Sequence, residues 1–313
     1  MINRILIRIK VLQIVFAFYQ TDNGDLRVAE NELMLSLRRS YDLYHYLLLL
    51  MVEVTQLYER MIDTRKSKFR PSAEEMNPDT RLLNNRLSKQ MSVNESLLKY
   101  NKEHGIFWTE DRDFVKKILD LILKSDIYAE YIANKEDSYE VDREFWRLVF
   151  RRLICNNAFV EEYLEEKSIY WNEDVDIIES FVIKTIKRFE QNQGSRNELL
   201  PMFNNESDYE FVLKLFRQSL LRGDEYRALI EKHIKNWESE RLANMDIVIM
   251  QVAVAELLNF PTIPVSVTLN EYIDAAKYYS TPKSGTFVNG VLDSIVEELK
   301  RENKLLKTDI LPS

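Results

Sequence analysis

The residues able to do chemistry are few and scattered. His45, His104 and His233 lie far apart in sequence. Asp42-x-x-His45 supplies one half of the carboxylate–histidine spacing of di-metal helix bundles, and no second Glu-x-x-His completes it. Glu173-Asp174-x-Asp176 is a run of hard oxygen donors suited to Mg²⁺. The same acids also suit the first turn of a helix beginning near Asn172, where the helix dipole favours them. The lone Cys155 sits in the apolar run FRRLICNNAF, where an inert buried thiol is expected. A single cysteine excludes a disulfide framework and any multi-cysteine zinc or iron–sulfur site. No P-loop, G-x-G-x-x-G, G-x-S-x-G or Cys/His nucleophile pair occurs. The expectation is a protein with no catalytic residues, no metal and no cofactor.

Cations offer more. Arg4 and Arg8 share a stripe of the first helix, over residues 2–20, and Lys10 lies to one side of it. The chain carries 43 Lys and Arg against 51 Asp and Glu, a formal net charge of −8. A local positive end in such a chain can hold phosphates while the global charge limits non-specific binding. Arginines that merely snorkel from a partly buried helix explain the pattern equally well. A second basic run, Arg65-Lys66-Ser67-Lys68-Phe69-Arg70, has an aromatic inserted and also reads as solvated linker.

The elements that must carry these residues are helices. Only 6 Gly and 7 Pro occur in 313 residues, far below the average usage of about 12 % for the pair. Sheet proteins need turn residues every ten positions or so, and doubly wound α/β folds need glycine-rich loops. An all-α fold follows. Residues 27–65 read as a long helix or helical pair with Leu47 to Val52 as its apolar middle. Residues 65–100 turn polar and hold two prolines, which predicts a flexible arm. Thr109 is a plausible N-cap for a helix through Phe114, Ile118 and Ile122. Further helices fit 141–165, 173–192 and 207–222, and the segment 193–206 is the best internal boundary.

Residues 245–260 are apolar except at Asp246, Gln251, Glu256 and Asn259, the pattern of a central bundle helix. Pro261 and Pro264 end it and start the next, in which Thr268-x-x-Glu271 has capping-box form or lies inside the helix. The loop 280–286 precedes a final helix, and 303–313 reads as a tail. No stretch of eighteen uncharged apolar residues is present, so a soluble, cytoplasmic protein without membrane contact is expected. A faint repeat also appears. Asp142-x-Glu144-Phe145 with Phe150-Arg151 matches Asp208-x-Glu210-Phe211 with Phe216-Arg217, and Trp171 matches Trp237 at the same offset. Duplication of a helical unit and chance similarity among helices both account for it.

An ordered series of residues then carries a resemblance. It comprises Asn236-Trp237, Arg241, Asp246, Ala253-x-x-Glu256-Leu257, Ile263-Pro264, Leu269-Asn270-Glu271, Ala276-Lys277 and Phe287-Val288-Asn289-Gly290-Val291-Leu292-Asp293. With Arg8, Gln13 and Phe16 of the opening helix, it resembles the NusB family of transcription antitermination factors. The resemblance implies a NusB-like helical bundle of two small subdomains. Residues 1–22 would form its first helix and 206–302 its C-terminal part, with 23–205 a mostly helical insertion.

It further implies antitermination on ribosomal RNA operons, through boxA-type single-stranded RNA, the ribosomal protein NusE and the RNA polymerase antitermination complex. In the family the RNA follows the N-terminal helix and the surface near the Phe-Val-Asn-Gly block. That assigns Arg4, Arg8, Lys10, Gln13, Phe16, Lys283 and Phe287 to RNA and Asp246 to NusE. The central-helix position that often carries arginine in the family holds Gln251. No Gly-rich cofactor domain follows, which excludes the RNA-modifying enzymes that carry a NusB-like domain. A NusB-like protein-interaction scaffold with weak or no RNA binding is the alternative.

Overall fold

The computed structural model describes residues 1–21, 24–234, 243–305 and 307. Asn23, Asn236, Trp237 and Arg241, and most of the expected 303–313 tail, lie outside the described residues. The described residues form helices without a named strand. In chain order these are α1 (Arg4–Gln20), α2 (Leu26–Lys66), α3 (Ala73–Met76), α4 (Arg86–Ser92) and α5 (Glu95–His104). Next come α6 (Arg112–Leu123), α7 (Asp126–Ala133), α8 (Tyr139–Val149), α9 (Ala158–Lys167) and α10 (Val175–Arg188). The series ends with α11 (Glu206–Leu221), α12 (Gly223–Ile234), α13 (Asn244–Asn259), α14 (Val265–Tyr279) and α15 (Ser284–Arg301). Contacts divide the chain into two compact units, Arg38–Met202 with Met1, and Ile2–Leu37 with Phe203–Ser313.

In the unit spanning Arg38–Met202, the α2 residues Leu43, Tyr44, Tyr46, Leu47 and Met51 are buried. The indole of Trp108 stacks on Tyr46 at 3.7 Å and donates its N–H to the Tyr46 carbonyl at 2.9 Å. Trp171 donates to the Arg39 carbonyl at 2.9 Å and Trp146 to the Ser88 hydroxyl at 2.6 Å. Large rings thus fill the core while each indole N–H finds an acceptor. A π-helical turn, Phe150–Ile154, follows α8, and two residues after it Asn156 has φ of 55°.

Several expectations change here. Residues 27–65 form one helix, not a pair. The second half of the flexible arm expected over 65–100 is instead packed. Leu82, Leu87, Met91 and Leu97 are buried, and Asn85 and Asn94 cap α4 and α5 from buried positions. Sparse apolar residues bury there because polar Asn side chains satisfy the helix ends beneath them. Thr109 does not cap α6; Asp111 occupies that position without a capping bond. Asp42 accepts from Tyr100 Oη at 2.9 Å and Arg39 Nη1 at 3.1 Å, and His45 Nδ1 lies 3.0 Å from the Tyr41 carbonyl. Burial lowers the His45 pKa to about 4. Asp174 accepts from Ser40 Oγ at 2.5 Å. Among the described residues no three His, Cys, Asp or Glu side chains converge on a metal position.

In the other unit α13 touches α1, α11, α12, α14 and α15. Its residues from Val248 to Leu257 are all buried, the central helix that its all-round apolar sequence requires. Thr268 lies inside α14, whose first turn is set by Pro264, so the capping-box spacing is not a cap. Leu305 packs on Leu257, Val265 and Val296, and Lys307 is buried, where a frayed tail was expected. No described helix is long and apolar enough to cross a membrane.

Candidate nucleic-acid interface

The opening helix begins at Asn3, whose side chain accepts from the Leu6 amide at 2.9 Å. Apolar residues surround α1 rather than forming a stripe, so α1 is buried on several sides: Leu6, Ile7, Val11, Leu12 and Val15 are core, and so are Arg8 and Lys10. Arg8 reaches Glu256 of α13 through two parallel bonds, Nε to Oε2 at 2.8 Å and Nη2 to Oε1 at 2.9 Å. Glu271 of α14 stands 3.7 Å from Arg8 Nη1. Thr268 Oγ1 and Tyr272 Oη also donate to Glu256, at 2.9 and 3.0 Å, so both carboxylate oxygens are saturated. Lys307 Nζ donates to Thr268 Oγ1 at 2.6 Å, and burial lowers the Lys307 pKa to about 8. Burial opposes the charge on Arg8, but the Glu256 bonds outweigh it and hold the guanidinium above its ordinary range.

This geometry corrects two site assignments. Arg8 is a core residue whose guanidinium is paired with Glu256 and stands near Glu271, and Lys10 is 2 % exposed. Neither presents its charge to a phosphate. Arg4 differs: its side chain is 40 % exposed, with Nε 3.4 Å from Asp208 Oδ1 and the guanidinium 5.0 Å over the Phe211 ring. Gln13 and Phe16 are half-buried on the same helix.

Asp246 is the third correction. It is 3 % exposed and accepts from Ser284 Oγ at 2.9 Å, tying the start of α13 to the start of α15. A side chain so placed acts on its own fold rather than across a surface. Ser284 also receives the Thr281 amide at 3.1 Å, which shapes the turn between α14 and α15. That turn leaves Lys283 exposed and Phe287 half-buried. Its entry carries Tyr278, 72 % exposed, with its ring 4.8 Å from that of Tyr279. Tyr278 was not among the sequence candidates. The Lys277-Tyr278-Tyr279 run, an aromatic pair beside a cation just before a breaker loop, is the signal that points to it.

Gln251 is explained as well. It is buried, donates to Tyr19 Oη at 2.9 Å and to the Ser219 carbonyl at 2.6 Å, and accepts from Arg227 Nε at 2.7 Å. The Arg227 guanidinium lies 3.6 Å over the Tyr19 ring, a cation–π contact. A neighbouring helix, α12, therefore brings a guanidinium to the place where the central helix lacks one. The unit as a whole offers exposed or half-exposed cations and aromatic rings (Arg4, Arg227, Tyr278, Lys283, Phe287), a set able to hold phosphates and stack unpaired bases.

Known proteins bear on this set. The family model described as NusB family matches residues 173–297. The match begins within the stretch first read as insertion. The transcription antitermination protein NusB of Salinibacter ruber is 41 % identical over 133 residues, 41 % of this chain and 83 % of that protein. The NusB of Clostridium kluyveri is 32 % identical over 135 residues, covering 41 % of this chain and 85 % of that protein. For the NusB of Koribacter versatilis, identity is 43 % over 94 residues, 30 % of this chain and 64 % of the relative, just under two thirds of its length. A solved structure of T. maritima NusB shares 30 % identity, covers 38 % of this chain and 82 % of that one, and has a TM-score of 0.29. The chain belongs to the NusB family of transcription antitermination proteins, not to a family of enzymes, and the residues before 173 lie beyond the family match.

Proposed function

We propose that this protein acts in the cytoplasm as an antitermination factor, binding boxA-type single-stranded RNA together with NusE and joining the polymerase antitermination complex on ribosomal RNA operons. The observation that carries the reading is the exposure of Tyr278 and Lys283, at either end of the α14–α15 turn, in a chain 41 % identical over 133 residues to an antitermination NusB. Arg4, Gln13, Phe16, Lys283, Phe287 and Tyr278 form the RNA set. Arg8 ties α1 to α13 through Glu256, Lys10 is buried, and Asp246 shapes the α14–α15 turn through Ser284.

Stacking on an exposed aromatic contributes about 1–3 kcal/mol per base. Tyr278→Ala should therefore weaken binding of a labelled boxA-like oligonucleotide about tenfold in anisotropy titrations with NusE present. Lys283→Ala should weaken it less and flatten its salt dependence, as the loss of one phosphate contact does. Unaltered affinity in both variants would sink the assignment. The burial of Arg8 and Lys10 and the net charge of −8 favour a second reading, a scaffold that binds NusE without RNA. On that reading NusE binds equally with and without the oligonucleotide.

A further inference from the structure

The Arg65-to-Arg70 run lies in the unit that holds most of the residues outside the family match. Arg65 and Lys66 form the last turn of α2, where cations suit the helix dipole. The backbone beyond them is held. Ser67 N donates to the Asp63 carbonyl at 3.0 Å, and Ser67 Oγ donates to the Thr64 carbonyl at 3.0 Å. Ser72 and Glu75 then form a capping box on α3, and Lys68 pairs with Glu75. Between these two anchors Phe69 is 95 % exposed, the most exposed of the large apolar side chains described. Among the described residues its ring meets Arg70, whose guanidinium lies 5.7 Å from the centroid.

The helix end accounts for Arg65 and Lys66. It accounts for neither Phe69 nor Arg70. A lone exposed apolar residue is ordinary on a protein surface. This one is flanked on both sides by cations, and the four of them stand out in an acidic chain. A ring this exposed, set among Arg65, Lys66, Lys68 and Arg70, has the makeup of a stacking platform beside phosphate contacts. A basic segment alone would serve any polyanion; the free ring adds a π-face for an unpaired base.

We infer that residues 65–70 form a second contact for single-stranded RNA, sequence-tolerant and separate from the residues proposed above. The class of ligand rests on the proposed RNA reading; the platform itself rests on the exposure of Phe69 and the charge around it. The contact binds the flank of a longer transcript and leaves recognition of the boxA-type segment to the other set.

The test uses the full chain and two labelled RNAs. One is a boxA-like oligonucleotide of about 12 nucleotides, and the other carries the same segment in about 40 unstructured nucleotides, long enough for several single-strand contacts. Wild type should bind the longer RNA about tenfold tighter. Phe69→Ala with Arg70→Ala should abolish that difference and leave the short RNA unaffected. Both side chains are at the surface, so an unchanged melting temperature will accompany the effect. Equal affinity of wild type for both RNAs, or a difference that survives the double variant, overturns the proposal. So does a double variant that, in a parallel assay, loses binding to anionic lipid vesicles while keeping the RNA difference. If the short RNA fails to bind while the longer one binds through Phe69, the boxA reading fails and this contact stands.

Discussion

Two helices carry the same Asp-x-Glu-Phe series, and the molecule builds around them in parallel. In α11 the buried Asp208 receives Arg4, which follows the N-cap Asn3. In α8 the buried Asp142 receives Arg86, which follows the N-cap Asn85, at 3.1 Å from Nη1. The rings Phe211 and Phe216, and Phe145 and Phe150, are buried in their respective units. The faint sequence repeat thus extends to cap, ion pair and core ring, although Trp237 lies outside the described residues.

One turn further the two part. Arg8 meets Glu256, while at the corresponding place Gln90 receives Tyr139 Oη and donates to the Glu190 carbonyl at 2.9 Å. The same helical frame accepts a charged or a neutral polar core. What differs is the penalty for losing a partner, because an unpaired buried charge is far costlier than an unpaired amide.

The largest effect tests that difference. Glu256→Ala strands Arg8 and two hydroxyls and should lower stability by about 3–5 kcal/mol, read from the urea midpoint. Gln90→Ala should cost only about 1–2 kcal/mol. Equal losses would break the comparison.

A pH effect is expected from the α8–α10 side. Burial raises the Glu179 pKa from 4.5 to about 7, beside the thiol of Cys155, which burial likewise raises. The folded state therefore holds a proton that the unfolded chain has released. Its contribution is complete below about pH 4.5, fades as pH rises through about 7, and amounts to roughly 3 kcal/mol at most. His45 works in the opposite sense, removing stability as pH falls from 6.5 toward its folded value near 4. The informative quantity is the stability difference between wild type and Glu179→Gln at matched pH. It should shift in the variant's favour between pH 5 and 8, and a flat difference would remove Glu179 from the account.

Two glycines sharpen the contrast at smaller scale. A Cβ on Gly223 would stand 2.4 Å from Tyr19 Oη and 2.9 Å from Gln251 Nε2. Gly223→Ala should thus cost about 1–3 kcal/mol by overpacking. Gly105 ends α5 at φ of 67° with nothing within 4 Å of a Cβ. Gly105→Ala should cost about 1 kcal/mol, from conformation alone, and Gly105→Asn less, since Asn tolerates that region. Thermal melts of the three variants check the order.

Much of the fold was legible in the residues. Scarce Gly and Pro exclude sheets, and α13 shows its central position through an apolar surface broken at few sites. The ordered series from Asp246 to Asp293 carries the family without any coordinates. The half of the expected arm that packs was not legible, because its burial depends on Asn85 and Asn94 capping helices too short to show a period. Among the site residues Arg4 and Lys283 kept their exposure. Arg8, Lys10 and Asp246 did not, and Tyr278 emerged only once exposure was known.

The sequence by itself determined that the chain is helical, where its helices break near the C-terminus and which family it joins. These follow from composition, local spacing and short ordered motifs. Only the tertiary structure decided which cations meet water. A helix apolar on most sides, such as α1, has no stripe that separates an inner arginine from an outer one. The deciding partner of Arg8 is Glu256, 248 residues away. Charge is written in the sequence; whether it is spent on the core or offered to a ligand is set by what folds against it.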